Sequence, residues 1–156
     1  MRAVVDAGGR IIIAPNFDPR VAAEARRLNL AYCPGVGTVS EAFAALEAGA
    51  AALKLFPAEV CGGVAALKAL GGPFGNIRFC PTGGVNARNA RDYLAQSNVM
   101  CVGGTWMVDA KAVRAGDWAA IESATRQALQ ALDSAAPAEL PRDFDVRAER
   151  AEQREL

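Results

Sequence analysis

Alternating strand and helix signals predict an α/β fold built on parallel strands, and three observations carry that expectation. Short apolar runs are marked by Ile11, Leu30, Leu53, Ile77 and Val99, at steps of 19, 23, 24 and 22 residues. A near-constant step of this size signals one repeated supersecondary unit. Between the runs lie alanine-rich segments with helical periodicity and recognisable start and stop residues. The runs themselves are continuous rather than alternating, as expected for strands covered on both faces. Parallel pairing with right-handed crossovers follows. Doubly wound sheets and (β/α)8 barrels share this signature. The regular step, with chemistry-bearing residues at the C-terminal strand ends, favours the barrel.

The elements can be placed in order. "MRAVVDAGG" reads as the tail of a helix ending at Gly8–Gly9. The strand candidates are "RIIIAP" (10–15), "LAYCP" (30–34), "ALKLFP" (52–57), "IRFCP" (77–81) and "VMCVGG" (99–104). "DPRVAAEARRL" opens a helix with Asp18 as N-cap and Pro19 at the first helical position. "TVSEAFAALEAG" starts at Thr38 or Ser40 and stops at Gly49. "GGVAALKALGG" and "NARNARDYLAQ" repeat the arrangement. The longest helix signal, "DWAAIESATRQALQALD", sets Trp118, Ile121, Leu129 and Leu132 near one apolar stripe. Five units are visible where a closed barrel needs eight. The expected fold is therefore an incomplete (β/α)8 TIM barrel over residues 1–134, starting in the middle of a unit, with roughly 65 residues needed for the other three. Residues 135–156 read as a charged, proline-containing tail, flexible or helical.

Composition excludes several functions. Net charge is zero, with 17 basic and 17 acidic residues and no basic block, so nothing invites nucleic acid or an anionic membrane surface. No apolar run reaches the length of a membrane span, and the N-terminus lacks signal-peptide features. Cys33, Cys61, Cys80 and Cys101 form no C-x-x-C pair, and the chain has no histidine, which argues against a zinc site and for reduced thiols in a cytoplasmic protein. Without histidine, neither a Ser-His-Asp nor a Cys-His mechanism can be built from these residues. No metal and no cofactor is expected.

One lysine stands out. In "LKLFPAE" (53–59), alternation sends Leu53 and Leu55 to one face and Ala52, Lys54 and Phe56 to the other. An amine held among apolar walls loses part of its preference for protonation, and a neutral amine attacks carbonyl carbon to form a Schiff base. The alternative is a lysine snorkelling from an edge strand. Two glycine pairs follow the next two strand candidates: "PTGGV" (81–85) and "VGGTW" (102–106). Paired glycines permit close backbone approach, and barrels often bind phosphate after their last two strands. Thr82 and Thr105 could add hydroxyl donors. Tight turns alone would also explain the glycines. Pro15 could form part of a pocket wall, Glu59 reads as a solvent-facing loop residue before a base, and Trp106 is expected to pack under the last loop.

Taken together, "PGVGTVSEA", "LKLFPAE", "GGVAALKAL", "GPFGNIRFCPTGGV", "RDYL" and "CVGGTW" resemble the class I 2-keto-3-deoxy-6-phosphogluconate (KDPG) aldolases, from Met1 to about Leu132. The resemblance implies a homotrimeric (β/α)8 barrel that cleaves the phosphorylated keto acid to pyruvate and glyceraldehyde 3-phosphate, often acting also on 4-hydroxy-2-oxoglutarate. The five visible units would be strands 4 to 8 of that barrel. Lys54 stands at the position of the Schiff-base lysine. Pro15 and Phe56 stand at pocket positions around the pyruvate moiety. Thr82, Gly83, Gly84, Gly103 and Gly104 stand at the phosphate end, and Thr105 replaces the usual serine. Thr82, where the galactonate-specific sister group carries valine, favours the gluconate substrate.

The resemblance also implies groups with no equivalent here: a catalytic glutamate and an arginine on the second strand, and a glycine-rich segment with a threonine on the third. General acid–base catalysis of that kind supplies about 10²–10⁴-fold, so reduced or absent turnover is expected of the chain alone. Two alternatives stand beside the KDPG aldolase reading. One is a non-catalytic remnant that binds phosphate or another barrel chain. The other is a 2-keto-3-deoxy-6-phosphogalactonate aldolase.

Overall fold

The computed structural model describes residues 1–75 and 77–133. The expected tail, 135–156, lies outside the described residues. The element order is α1 (Arg2–Asp6), β1 (Ile11–Ile13), α2 (Pro19–Arg27), β2 (Ala31–Cys33), β3 (Gly35–Val36), α3 (Val39–Glu47), β4 (Ala52–Leu55), α4 (Gly63–Gly71), β5 (Arg78–Phe79), α5 (Ala90–Leu94), α6 (Ala110–Ala115) and α7 (Trp118–Asp133). The chain is an α/β structure in which every named strand pairing is parallel: β1 with β2, β3 with β4, and β4 with β5.

The expected strand at 30–34 appears as β2, and a further short strand that was not expected, β3, follows it at Gly35–Val36. Pro34 separates them and has no N–H to give to a ladder. The segment before it pairs with β1; the segment after it pairs with β4, where Pro34 O accepts from Lys54 N at 2.8 Å. The expected fifth strand, 99–104, appears as two parallel bridges, Phe79 to Val99 and Thr82 to Gly103. Three steps along one segment match four along the other, so an extra residue interrupts the ladder as in a β-bulge. Both Val99 and Val102 can then meet the same core, an odd spacing that a regular strand forbids.

Register fixes the two faces. Val36 lies opposite Leu55 and Leu53 opposite Phe79, and all four are buried. They pack with Ala42 and Ala45 of α3, Leu67 and Leu70 of α4, and Ala90 and Tyr93 of α5. The other face carries Ile11, Ile13, Cys33, Gly35, Lys54 and Cys80. The expectation that both faces are covered does not hold throughout: Ile11 is 52% and Ile13 58% exposed. Among the described residues β1 pairs with β2 alone, which makes it an edge strand.

Local signals explain most helix ends. Asp18 caps α2 by accepting from Arg20 N at 2.8 Å, with Pro19 at the first helical position. Thr38 and Glu41 form a capping box at α3, and Gly49, at φ +84°, ends that unit in a conformation glycine adopts freely. α5 is shorter than expected. Asn86 Oδ1 accepts from Arg88 N, and Asn89 Oδ1 accepts from Asn86 N, so side chains satisfy backbone donors in a turn before the helix begins. α6 had no counterpart in the sequence reading, although Asp109 caps it and Gly116 ends it at φ +68°. The expected stripe on α7 is only partly apolar-facing. Leu132 packs on the core, but Trp118 is 65% and Leu129 57% exposed. Arg91 Nε donates to Ala131 O at 2.9 Å and ties α7 to α5.

Thr38→Ala removes the acceptor for Glu41 N and should lower stability by about 1 kcal/mol in a denaturant titration. Glu41 accepts from the backbone N–H groups of Gly37 and Thr38, each at 2.9 Å, and these bonds hold its carboxyl below the ordinary value of 4.5. A carboxyl lowered in the folded state contributes stability above its unfolded value and loses it as pH falls through the folded one. Glu41→Gln should therefore flatten the acid limb of the stability–pH curve below about 4.5. An unchanged limb would remove the capping box from that account.

Candidate active site around Lys54

Lys54 sits near the C-terminal end of β4, flanked by β3, where Gly35 is its partner. Leu53 and Leu55 are buried in the core, so the side chain between them must leave by the opposite face. Its Nζ lies 4.6 Å from the centroid of the Phe56 ring, within cation–π range. Lys54 is half-buried, whereas Lys68 and Lys111, the other two lysines, are exposed.

Phe56 is in turn packed against the first glycine pair. A methyl group at Gly83 would lie 3.3 Å from Phe56 Cε2 and 3.1 Å from Pro57 Cα. Gly83 and Gly84 take φ of +93° and +85°, a backbone shape that other residues adopt at a cost. Two hydrogen bonds bind this loop to the one after β4: Ala58 N to Thr82 O at 2.8 Å, and Glu59 N to Gly83 O at 3.1 Å. Tyr93, fully buried, donates its hydroxyl to Glu59 Oε1, and burial with that carboxylate pushes the phenol's pKa upward. Glu59 is therefore a support for the glycine loop: a methyl group at Gly84 would lie 2.3 Å from its Cγ.

The second glycine pair adjoins the first. A methyl group at Gly103 would lie 2.6 Å from Thr82 Oγ1, and one at Gly104 would lie 1.9 Å from the Trp106 ring. Trp106 thus packs under the loop, as expected. Thr105 is exposed just beyond. Pro15 is exposed, but its carbonyl oxygen lies against Gly35, where a methyl group would come within 2.1 Å. The structure thus joins Lys54, Phe56 and Gly83 by direct packing, joins Thr82 to Gly103, and reaches Pro15 through Gly35.

The sequence reading missed the thiols beside the lysine. Cys33 and Cys80 both feel the Lys54 charge. Burial pushes the Cys33 thiol up to about 11. Cys80 is held below the ordinary thiol value by a hydrogen bond with Cys101, a hydroxyl contact with Thr82 at 3.9 Å, and the ammonium of Lys54. Cys101 is shifted the opposite way by the same pairing. Strand alternation could have placed Cys80 on the face of Thr82. The arrival of Cys101 depends on the bulge, which has no clear sequence signature.

Comparison with known proteins decides the family. The family described as "KDPG and KHG aldolase" matches residues 1–124. This chain belongs to the KDPG and KHG aldolase family. The 2-dehydro-3-deoxy-phosphogluconate aldolase of Pseudomonas aeruginosa is 48% identical over 128 residues, covering 82% of this chain and 58% of that protein. The KHG/KDPG aldolase of Escherichia coli is 42% identical over 127 residues, covering 81% and 60%. The KDPG aldolase of Legionella pneumophila, with pyruvate captured as a covalent carbinolamine, superposes with a TM-score of 0.76 at 35% identity, covering 86% of this chain and 63% of that one. The Zymomonas mobilis KDPG aldolase with 3-phosphoglycerate gives 0.71 at 32% identity, covering 86% and 60%. The chain thus spans about three fifths of the length of these aldolases. Among the described residues, no helix is long and apolar enough to cross a membrane.

Gly103→Ala should destabilise the fold by about 1–3 kcal/mol, because its methyl group must displace the Thr82 hydroxyl. Adding Thr82→Ala should recover part of that loss. Strictly additive effects in denaturation experiments would show that the two loops do not touch.

Proposed function

We propose that this chain carries the Schiff-base part of a KDPG aldolase, with Lys54 as the nucleophile. The carrying observation is the half-buried Lys54 amine, turned away from the core and 4.6 Å from the Phe56 ring centroid, whose edge abuts the Gly83 loop. The five successive parallel segments are read as strands 4 to 8 of a (β/α)8 barrel, a reading supported by the superposition on KDPG aldolases.

The chemistry follows from the amine. Nζ adds to the keto carbon of the phosphorylated keto acid to give a carbinolamine, which loses water to form an imine. The protonated imine at C2 draws electrons from the C3–C4 bond as the C4 hydroxyl gives its proton to a base. That bond breaks, releasing glyceraldehyde 3-phosphate and leaving an enamine. Protonation and hydrolysis of the enamine then release pyruvate and restore the amine. Phe56 and Pro15 wall the pyruvate end in this reading. Thr82, Gly83, Gly84, Gly103, Gly104 and Thr105 face the phosphate, for which close backbone approach matters. The carbinolamine in the Legionella enzyme and the 3-phosphoglycerate in the Zymomonas enzyme support the two ends respectively. The proposed assembly is the family homotrimer, and the proposed setting is the cytoplasm.

Adduct formation, rather than turnover, is the fitting test for a chain that spans 58% of its Pseudomonas relative. Incubation with pyruvate and borohydride should add one reduced pyruvyl group, located by peptide mapping at Lys54. Lys54→Met should abolish it. A reduced adduct at Lys68 or Lys111, or one that survives Lys54→Met, would overturn the assignment.

A further inference from the structure

The three cysteines near Lys54 have no part in the aldol chemistry above, and two of them are arranged for chemistry of their own. The pairings Phe79–Val99 and Thr82–Gly103 set the segment around Cys80 beside the segment around Cys101. The extra residue lies between Val99 and Val102, both packed on the core, so parity assigns Cys101 to the face that carries Cys80 and Thr82. Met100 N donates to Phe79 O at 3.0 Å and Gly103 N to Pro81 O at 2.9 Å, so Cys101 lies beside Cys80 in the ladder, close enough for the two thiols to interact. Cys80 also contacts Thr82 Oγ1 at 3.9 Å, and the positive charge of Lys54 acts on it. Cys101 is exposed and Cys80 half-buried, so small reagents reach the pair; Cys33 is buried. Cys61 lies elsewhere, packed against Gly37, where a methyl group would come within 3.0 Å of its sulfur.

We propose that Cys80 and Cys101 form a site of reversible oxidative modification, in which Cys80 is the peroxide-reactive thiol and Cys101 resolves it to a disulfide. All four cysteines are free in this structure. The reaction with hydrogen peroxide balances in two steps. The Cys80 thiolate attacks one peroxide oxygen and the O–O bond breaks. The hydroxide that leaves takes a proton to become water, and Cys80 becomes a sulfenic acid. The Cys101 sulfur then attacks the Cys80 sulfur, forming the S–S bond, and the departing hydroxide takes the Cys101 proton as a second water. Two thiols lose two electrons, and one peroxide becomes two waters. The arrangement favours Cys80 as the attacking group, because a donor thiol, a hydroxyl and a nearby ammonium all stabilise its thiolate. A dithiol reductant reverses the disulfide by exchange.

The test uses the folded chain with hydrogen peroxide, followed by alkylation and peptide mapping. The expected product is a cross-linked pair of peptides carrying Cys80 and Cys101, lost on treatment with dithiothreitol, with Cys33 and Cys61 still alkylated as free thiols. Cys101→Ser should stop at a Cys80 sulfenic acid that dimedone traps. Cys80→Ser should give neither product, with circular dichroism confirming that the variant is folded. With iodoacetamide at pH 7, Cys80 should be modified at least about ten times faster than Cys33. Cross-links to Cys33 or Cys61, dimedone capture at another cysteine, or Cys80 reacting no faster than Cys33 would each overturn the proposal. None of these readouts involves pyruvate or Lys54, so the thiol site and the aldolase reading fail independently.

Discussion

The site depends on register in the ladder of β3, β4 and β5. Val36 opposite Leu55, and Leu53 opposite Phe79, commit four apolar side chains to the helix-facing side. A shift of one residue would turn Leu53 and Leu55 outward and drive Lys54 into the core. Burying an unpartnered ammonium costs several kcal/mol, and exposing two leucines forfeits roughly 3–6 kcal/mol more. The orientation of the amine therefore follows from the hydrophobic effect at its neighbours. Phe56, next but one, shares the face of the lysine and offers it a ring rather than a carboxylate. Among the described residues, the salt bridges lie at Arg20–Asp18, Arg27–Glu24 and Arg126–Glu122, all away from this face.

The glycine loops extend the same logic beyond the strand ends. Gly83, Gly84, Gly103 and Gly104 each sit where a methyl group would strike a neighbour: Pro57, Glu59, Thr82 and Trp106. Their small size lets the Gly83 loop close on Phe56 and the Gly103 segment close on Thr82. Glu59 shows how a residue can look peripheral in sequence and still be structural. Its backbone N–H binds Gly83 O, and its carboxylate receives the hydroxyl of buried Tyr93. The loop's shape is thus tied to the core beneath it, which lets an irregular segment hold a defined geometry.

Much of this was legible in the residues because it obeys local rules. Period-two alternation placed Lys54 and Phe56 on one face and the two leucines on the other. The Asp18 cap, Gly49 stop and Thr38 start were readable for the same reason, since a cap involves only a few neighbouring residues. What escaped the reading was set by longer-range pairing. Pro34 closes one expected strand and an unexpected one follows it, because the flanking segments bond to different neighbours. Cys80 and Cys101 lie 21 positions apart and meet only through an irregular register. Trp118 and Leu129 fit a helical stripe by spacing, yet spacing cannot say which layer that stripe would meet. The four glycines of these loops were visible as pairs, but not which neighbour each one abuts.

That irregular register also explains why one short segment can serve three surroundings. From Val99 to Gly104 the chain sends Val99 and Val102 to the core, turns Cys101 to the face of Lys54, and brings Gly103 against Thr82. A regular strand offers two directions in strict alternation and could not bury both valines, which lie three apart. The inserted residue breaks that parity once, between the two bridges. Only after the break does Gly103 fall opposite Thr82, so that the second glycine loop leaves the ladder beside the first. The same backbone irregularity thus aligns the two loops and brings the two thiols together. A deletion that restored strict alternation would disturb both at once, because one residue of chain length sets them both.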